Sequence, residues 1–269
     1  MALTVPAAGD RPALVVPTTI WMRRGPGVGP APLVVFAPGY LQCVDQYTGL
    51  LRSWAEVGFV VAALTFPATS CQASPGEEWT VLWQPAELAS VAASLEAASE
   101  NGQPGDGALR GRLVPGVVAV AGHSDGADAA AAAAFNSASR DPLFRAAVVL
   151  AGAELASYGG SWFPPTSPPL LVVQGSADPV NPPSDALALY DADQSGPKAL
   201  LWLEGAGHFQ PYEGQGPEEQ LVAAATTDFL RWALEGDAGA LAALEALGQG
   251  ADARLSLGGG LGTAAEPVG

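Results

Sequence analysis

Seven short apolar runs recur along this chain, at residues 14–21, 33–37, 59–64, 116–121, 146–150, 170–174 and 199–203. Four of them, LVVFA, FVVAAL, GVVAVA and LLVVQ, are apolar at nearly every successive position rather than at alternate ones. A strand of that kind must be covered on both faces, as a parallel strand between two helical layers is. Between the runs lie stretches with the period of a helix. Residues 47, 50, 51, 54 and 57 place apolar or aromatic side chains on one helical face. Further helices are predicted over 80–99, 124–139, 184–190 and 217–234. Strands alternating with helices predict the α/β class, with a mostly parallel central sheet and helices on both faces.

A chain of 269 residues, 49% of them hydrophobic, can build one large core of this type. We place a single domain over 1–236 and a short helix over 237–247. Residues 248–269 are rich in Gly and Ala and poor in large apolar side chains. They are predicted to stay disordered, because so little burial cannot offset chain entropy. Asp and Glu outnumber Lys and Arg by 27 to 11, for a net charge of −16. Such a chain is repelled by phosphate backbones, so no nucleic-acid partner is expected. No apolar run is long enough for a transmembrane helix, which needs about 18 residues or more. Residues 1–10 lack a basic segment followed by an apolar one, which leaves two placements open: cytoplasmic, or secreted with the leader removed. The two cysteines, Cys43 and Cys71, follow two strands that neighbour each other in such a sheet. They are expected close together, as a disulfide or as two thiols, and they cannot form a Cys-based metal site.

The chemistry centres on Gly122-His123-Ser124-Asp125-Gly126, between the run GVVAVA and an alanine-rich helix. In that context a G-x-S-x-G pentapeptide is a strained strand-to-helix turn that lifts a serine hydroxyl above the sheet. A plain helix-capping serine is the structural alternative. A serine hydroxyl needs a base, and the chain has only two histidines, His123 and His208. His123 adjoins the serine, and its backbone directs it away from the hydroxyl. His208 follows the run ALLWL in the loop EGAGHF and is the expected base. Asp178, in GSADPV after LLVVQ, is the expected acid that orients the imidazole; Glu154 is its competitor. The order Ser124, Asp178, His208 suits a nucleophile elbow on an α/β sheet. The oxyanion hole is expected from the backbone N–H groups of Tyr40, in APGYL after LVVFA, and of Asp125.

The stretches VVFAPGYLQ, FVVAAL, GHSDGA, LLVVQGSADPV and LEGAGHF resemble the cutinase and bacterial polyester-hydrolase branch of the α/β-hydrolases; chlorophyllase and dienelactone-hydrolase relatives are similar. The resemblance covers about residues 31–235. It implies a minimal α/β sandwich without cap, metal or cofactor, with Tyr40 and Asp125 supplying the oxyanion N–H groups. Two positions depart from the pattern. Asp125 stands where a bulky apolar residue often follows the nucleophile, and AGAEL at 151–155 lacks the aromatic those enzymes carry after this strand.

Only about 20 residues, 151–169, separate two successive strands, which is too few for a helical lid. Tyr158, Trp162 and Phe163 in that loop, with Tyr40 and Phe209, are the expected lining of a shallow apolar cleft. The activity expected is hydrolysis of short- to medium-chain carboxylic esters, small or polymeric, through an acyl-enzyme. A peptidase or amidase on the same triad, or a catalytically silent binding module, are the alternatives.

Overall fold

A computed structural model describes residues 1–101, 107–250 and 252–261. Its nine strands form one sheet in the order β1-β2-β4-β3-β5-β6-β7-β8-β9. They are β1 (Ala2–Val5), β2 (Leu14–Trp21), β3 (Ala31–Ala37), β4 (Val60–Leu64), β5 (Leu113–His123), β6 (Phe144–Leu150), β7 (Leu170–Gly175), β8 (Lys198–Leu203) and β9 (Ala253–Gly258). Strands β3 to β8 pair in parallel, while β1, β2 and β9 are antiparallel additions at the two edges. β4 and β7 are buried along their whole length, and β3 and β6 at all but one position. This is why those segments read as continuous apolar runs.

One face of the sheet is covered by α1 (Thr48–Val57), α5 (Pro217–Glu235) and α6 (Ala238–Leu247). The other is covered by α2 (Gln84–Asn101), α3 (Asp125–Phe135) and α4 (Pro183–Ala192). Together with the sheet order this is the α/β-hydrolase fold. The loop between β6 and β7 carries a single 3-10 turn, Ala156–Tyr158, so no cap covers the carboxyl ends of the strands there.

Three boundaries differ from the sequence reading. The helix predicted over 124–139 ends at Phe135, where Asn136 turns to an extended conformation and its side chain bonds Ala138 and Gly159. The helix predicted from 80 is preceded by a 3-10 helix, Glu78–Trp83. The largest correction concerns the tail. Residues 253–258 are β9, in register along β8 from Lys198↔Gly258 to Leu203↔Ala253. Ala253 and Leu261 are buried. A composition argument counts side chains to bury. It misses the backbone groups of an exposed strand edge, which a short tail can satisfy with hydrogen bonds alone. Residues 251 and 262–269 of the predicted disordered segment lie outside the described residues.

Cys43 and Cys71 are bonded, with Cα atoms 5.0 Å apart. The bond ties the loop after β3 to the loop after β4. Leu41 N–H donates to the Thr69 carbonyl at 2.7 Å, and Cys71 N–H to that of Gln42 at 3.2 Å.

Candidate active site

The carboxyl ends of β3, β5, β7 and β8 converge on Ser124. Its φ of 55° and ψ of −128° lie in a region L-residues rarely occupy. Its N–H is tied to the Leu150 carbonyl at 3.0 Å, and its own carbonyl accepts from Ala127 and Asp128 at 2.7 and 3.0 Å. A Cβ on Gly122 would collide with the Gly126 carbonyl, and one on Gly126 with the carbonyl of Ala37. Only glycines let strand and helix approach this closely.

His208 sits in the loop after β8 and is buried. Its Nδ1 lies 2.7 Å from Asp178 Oδ2, and its Nε2 lies 3.0 Å from Ser124 Oγ. An ionised carboxylate can only accept, so Nδ1 carries the proton and Nε2 is left to accept from the serine hydroxyl. Asp178 divides its two oxygens. Oδ1 accepts from the N–H groups of Val180 and Asn181 at 2.8 and 3.0 Å, as in an ordinary aspartate turn. Oδ2 receives His208 and, at 3.2 Å, Gln174 Nε2. The turn therefore fixes the carboxylate that meets the imidazole. Glu154, the sequence competitor, makes no contact with His208. Its Oε1 is buried without a hydrogen-bond partner, and burial raises its carboxyl.

Gly39 packs on the serine: a Cβ there would stand 3.2 Å from Ser124 Cβ. The next residue is Tyr40, whose hydroxyl accepts from Gly76 N–H at 2.8 Å. The N–H groups of Tyr40 and Asp125 have no acceptor among the described residues. One of these amides belongs to the residue after the serine, the other to the residue after Gly39, which packs on it.

Acidic groups gather along the start of α3. Burial, and then the nearby Glu78, raise the Asp125 carboxyl from 3.8 to about 6. Its Oδ2 is buried and unpartnered. Asp128 is pushed up by burial, although its Oδ1 accepts from Ala153 N–H at 2.6 Å. Tyr158 is buried beside them, and its hydroxyl donates to the Val81 carbonyl at 3.1 Å. That bond joins the β6–β7 loop to the 3-10 helix Glu78–Trp83.

The structure separates the expected cleft residues. Phe209 is 40% exposed, with its ring edge-on to that of His208 at 4.7 Å. Tyr40 and Tyr158 lie near the serine and the acidic groups. The Trp162 ring stands edge-on to that of Tyr158, with centroids 6.2 Å apart. Trp162 bridges Asn136, and Phe163 stacks on Phe135 at 5.0 Å. Their backbones are pinned at the far end of α3, about 15 Å from the elbow at 1.5 Å per residue. Sequence reasoning missed Trp79, which is 53% exposed and packs edge-on against Trp83 at 4.7 Å. It neighbours Glu78, which faces Asp125. Its signal was an aromatic pair four residues apart at a position read as plain loop and helix start.

No group of three or more His, Cys, Asp or Glu that could hold a metal ion occurs among the described residues, and no described helix is long and apolar enough to cross a membrane.

The family described as "Serine hydrolase (FSH1)" matches residues 110–216. That span holds Ser124, Asp178 and His208 and leaves Tyr40 outside. No curated protein matches the chain.

Proposed function

We propose that this chain, a serine hydrolase of the α/β-hydrolase fold, hydrolyses short- to medium-chain carboxylic esters through an acyl-enzyme on Ser124. The observation that carries this reading is the continuous line Asp178 Oδ2, His208, Ser124 Oγ, with contacts of 2.7 and 3.0 Å. Ser124 Oγ adds to the ester carbonyl carbon while its proton passes to His208 Nε2. Asp178 holds the resulting imidazolium in place. The carbonyl oxygen, now an anion, is received by the amides of Tyr40 and Asp125; such a donor typically contributes about 10²–10³ in rate. The C–O bond to the alcohol breaks, and His208 returns the proton to the leaving oxygen. Water repeats the sequence, releasing the acid and restoring Ser124.

The absence of a cap between β6 and β7 supports an open cleft with little discrimination by size. Tyr40, Tyr158 and Phe209, with Trp79, are its aromatic candidates. The carboxylate of Asp125, charged above about pH 6, supports a preference for acyl groups without negative charge. Polyester cleavage rests on the resemblance to cutinases alone.

The test is hydrolysis of p-nitrophenyl butyrate and labelling by a fluorophosphonate. Ser124→Ala is expected to lose labelling and at least about 10³-fold in kcat while keeping its melting temperature. Undiminished hydrolysis by Ser124→Ala would remove the serine from the mechanism.

A further inference from the structure

His123 has no part in the acyl-transfer steps, yet it is fully buried one residue from the nucleophile. Its Nε2 lies 2.9 Å from the backbone carbonyl of His208, and its Nδ1 lies 2.8 Å from the Tyr47 hydroxyl. Tyr47, also fully buried, accepts the N–H of Gly39 at 3.2 Å. The direction of each bond follows from chemistry. A carbonyl has no proton to give, so His123 Nε2 carries the hydrogen. Nδ1 is then a lone pair and takes the Tyr47 proton. The phenolic oxygen keeps a lone pair for Gly39 N–H. Burial pushes the His123 imidazole down to about 3, so it stays neutral at working pH.

The groups facing this ring are accounted for. Tyr212 lies 4.8 Å and Phe209 6.0 Å away, centroid to centroid, and His208 lies 4.7 Å away. Glu213 Oε1 is 3.8 Å from Nδ1 and also faces the Tyr47 hydroxyl; burial raises its carboxyl, and the Tyr47 and Gln46 side chains lower it in part. Its other oxygen accepts from Gln46 Nε2 at 2.9 Å. The imidazole nitrogen, at 2.8 Å, is the near acceptor of the Tyr47 proton, and Glu213 closes the pocket behind it.

The ends of this chain are not arbitrary. One end is the amide of Gly39, which packs on Ser124 and precedes the free amide of Tyr40. The other is the carbonyl of the residue that carries the base. The middle is the residue before the nucleophile. We propose that His123 and Tyr47 are positioning residues, which through one buried run of hydrogen bonds set the Tyr40 amide loop and the His208 loop at fixed distances from Ser124. An apolar side chain at either position would fill the same space without linking the loops, and would leave buried backbone groups unpaired. This inference rests on the catalytic reading of Ser124, Asp178 and His208.

The test compares Tyr47→Phe, His123→Gln and His123→Leu with wild type and Ser124→Ala. Three quantities are read: kcat and KM for p-nitrophenyl butyrate, the inhibition constant of butylboronic acid, and the melting temperature. The boronate forms a tetrahedral adduct on a nucleophilic serine, so its affinity reports the same geometry as the transition state. Tyr47→Phe removes one oxygen and is expected to lower kcat about 10- to 100-fold, as a misplacement on the order of 1 Å does. KM should stay within about 2-fold, and boronate affinity should fall in proportion to kcat/KM. His123→Gln keeps a donor near the His208 carbonyl and should fall between wild type and His123→Leu. The proposal is overturned if Tyr47→Phe and His123→Gln retain kcat/KM within about 2-fold of wild type. It is also overturned if they lose activity only as far as they melt, with boronate affinity unchanged. Should His123→Leu not fold, Tyr47→Phe decides. If wild type and Ser124→Ala hydrolyse the ester equally, the catalytic reading itself has failed, a result distinct from any of these.

Discussion

On the β8 side of Ser124, the four ring nitrogens of His123 and His208 each have a partner within 3.0 Å. On the α3 side, Asp125 Oδ2 and Glu154 Oε1 are buried with no partner at all. The contrast separates two demands on one site. Proton transfer needs atoms held in place, and paired hydrogen bonds hold them. A surface that receives substrate needs groups not already satisfied within the protein. On the proposed reading the paired side is the machinery and the unpaired side borders the substrate.

The sharpest way to break this comparison is to exchange the roles of the acids. Asp178→Asn, which spoils the imidazole tautomer while keeping its shape, is expected to reduce kcat by about 10²–10⁴. Glu154→Gln should stay within about 2-fold of wild type. Steady-state kinetics on a neutral aryl ester checks both, and the reverse pattern would move the acid to the unpaired side.

A middle-sized effect concerns what stiffens the paired side. β9 lies along β8, the strand that leads into the His208 loop. Truncation after Gln249 should lower the melting temperature by roughly 5 °C or more, since it strips an edge strand and the buried Ala253 and Leu261. A differential scanning measurement showing no shift would mean that β9 contributes nothing to the sheet edge.

The smallest effect lies on the rim. Asp125 is raised from 3.8 to about 6 in the folded chain. Between those values the native state holds more protons than the unfolded state, so stability falls as pH rises through the interval and stays lowered above it. Asp125→Asn should therefore melt higher than wild type at pH 8 and nearly equal to it at pH 4. The same charge should make wild type prefer a neutral acyl group over a carboxylate-bearing one by about 3- to 10-fold more at pH 8 than at pH 5. A preference that is flat with pH, or unchanged in Asp125→Asn, would make Asp125 an ordinary helix-start residue.

Much of this architecture is legible in the chain. The runs LVVFA, FVVAAL, GVVAVA and LLVVQ announce parallel strands because nearly every position along them is covered. The elbow is legible because two glycines and a serine in that order have a mechanical meaning between a strand and a helix. Scarcity pointed to His208 as the imidazole that meets Ser124, since the other of only two histidines is fixed in the elbow. The rim was harder. The backbones of Trp162 and Phe163, in the expected loop, are held at the far end of α3, and Trp79 is marked in the chain only by its pairing with Trp83 four residues on.

Sequence alone determined the class of fold, the elbow, and the order of Ser124, Asp178 and His208, because local periodicity and backbone geometry act over a few residues. Only the tertiary structure decided that Asp178 rather than Glu154 meets the imidazole, that a glycine- and alanine-rich tail completes the sheet, and that His123 joins Gly39 to His208 through Tyr47. Those contacts link positions as far apart as 84 and 85 residues, from His208 to Ser124 and to His123. No local pattern in a chain encodes which distant backbone groups will be left needing a partner.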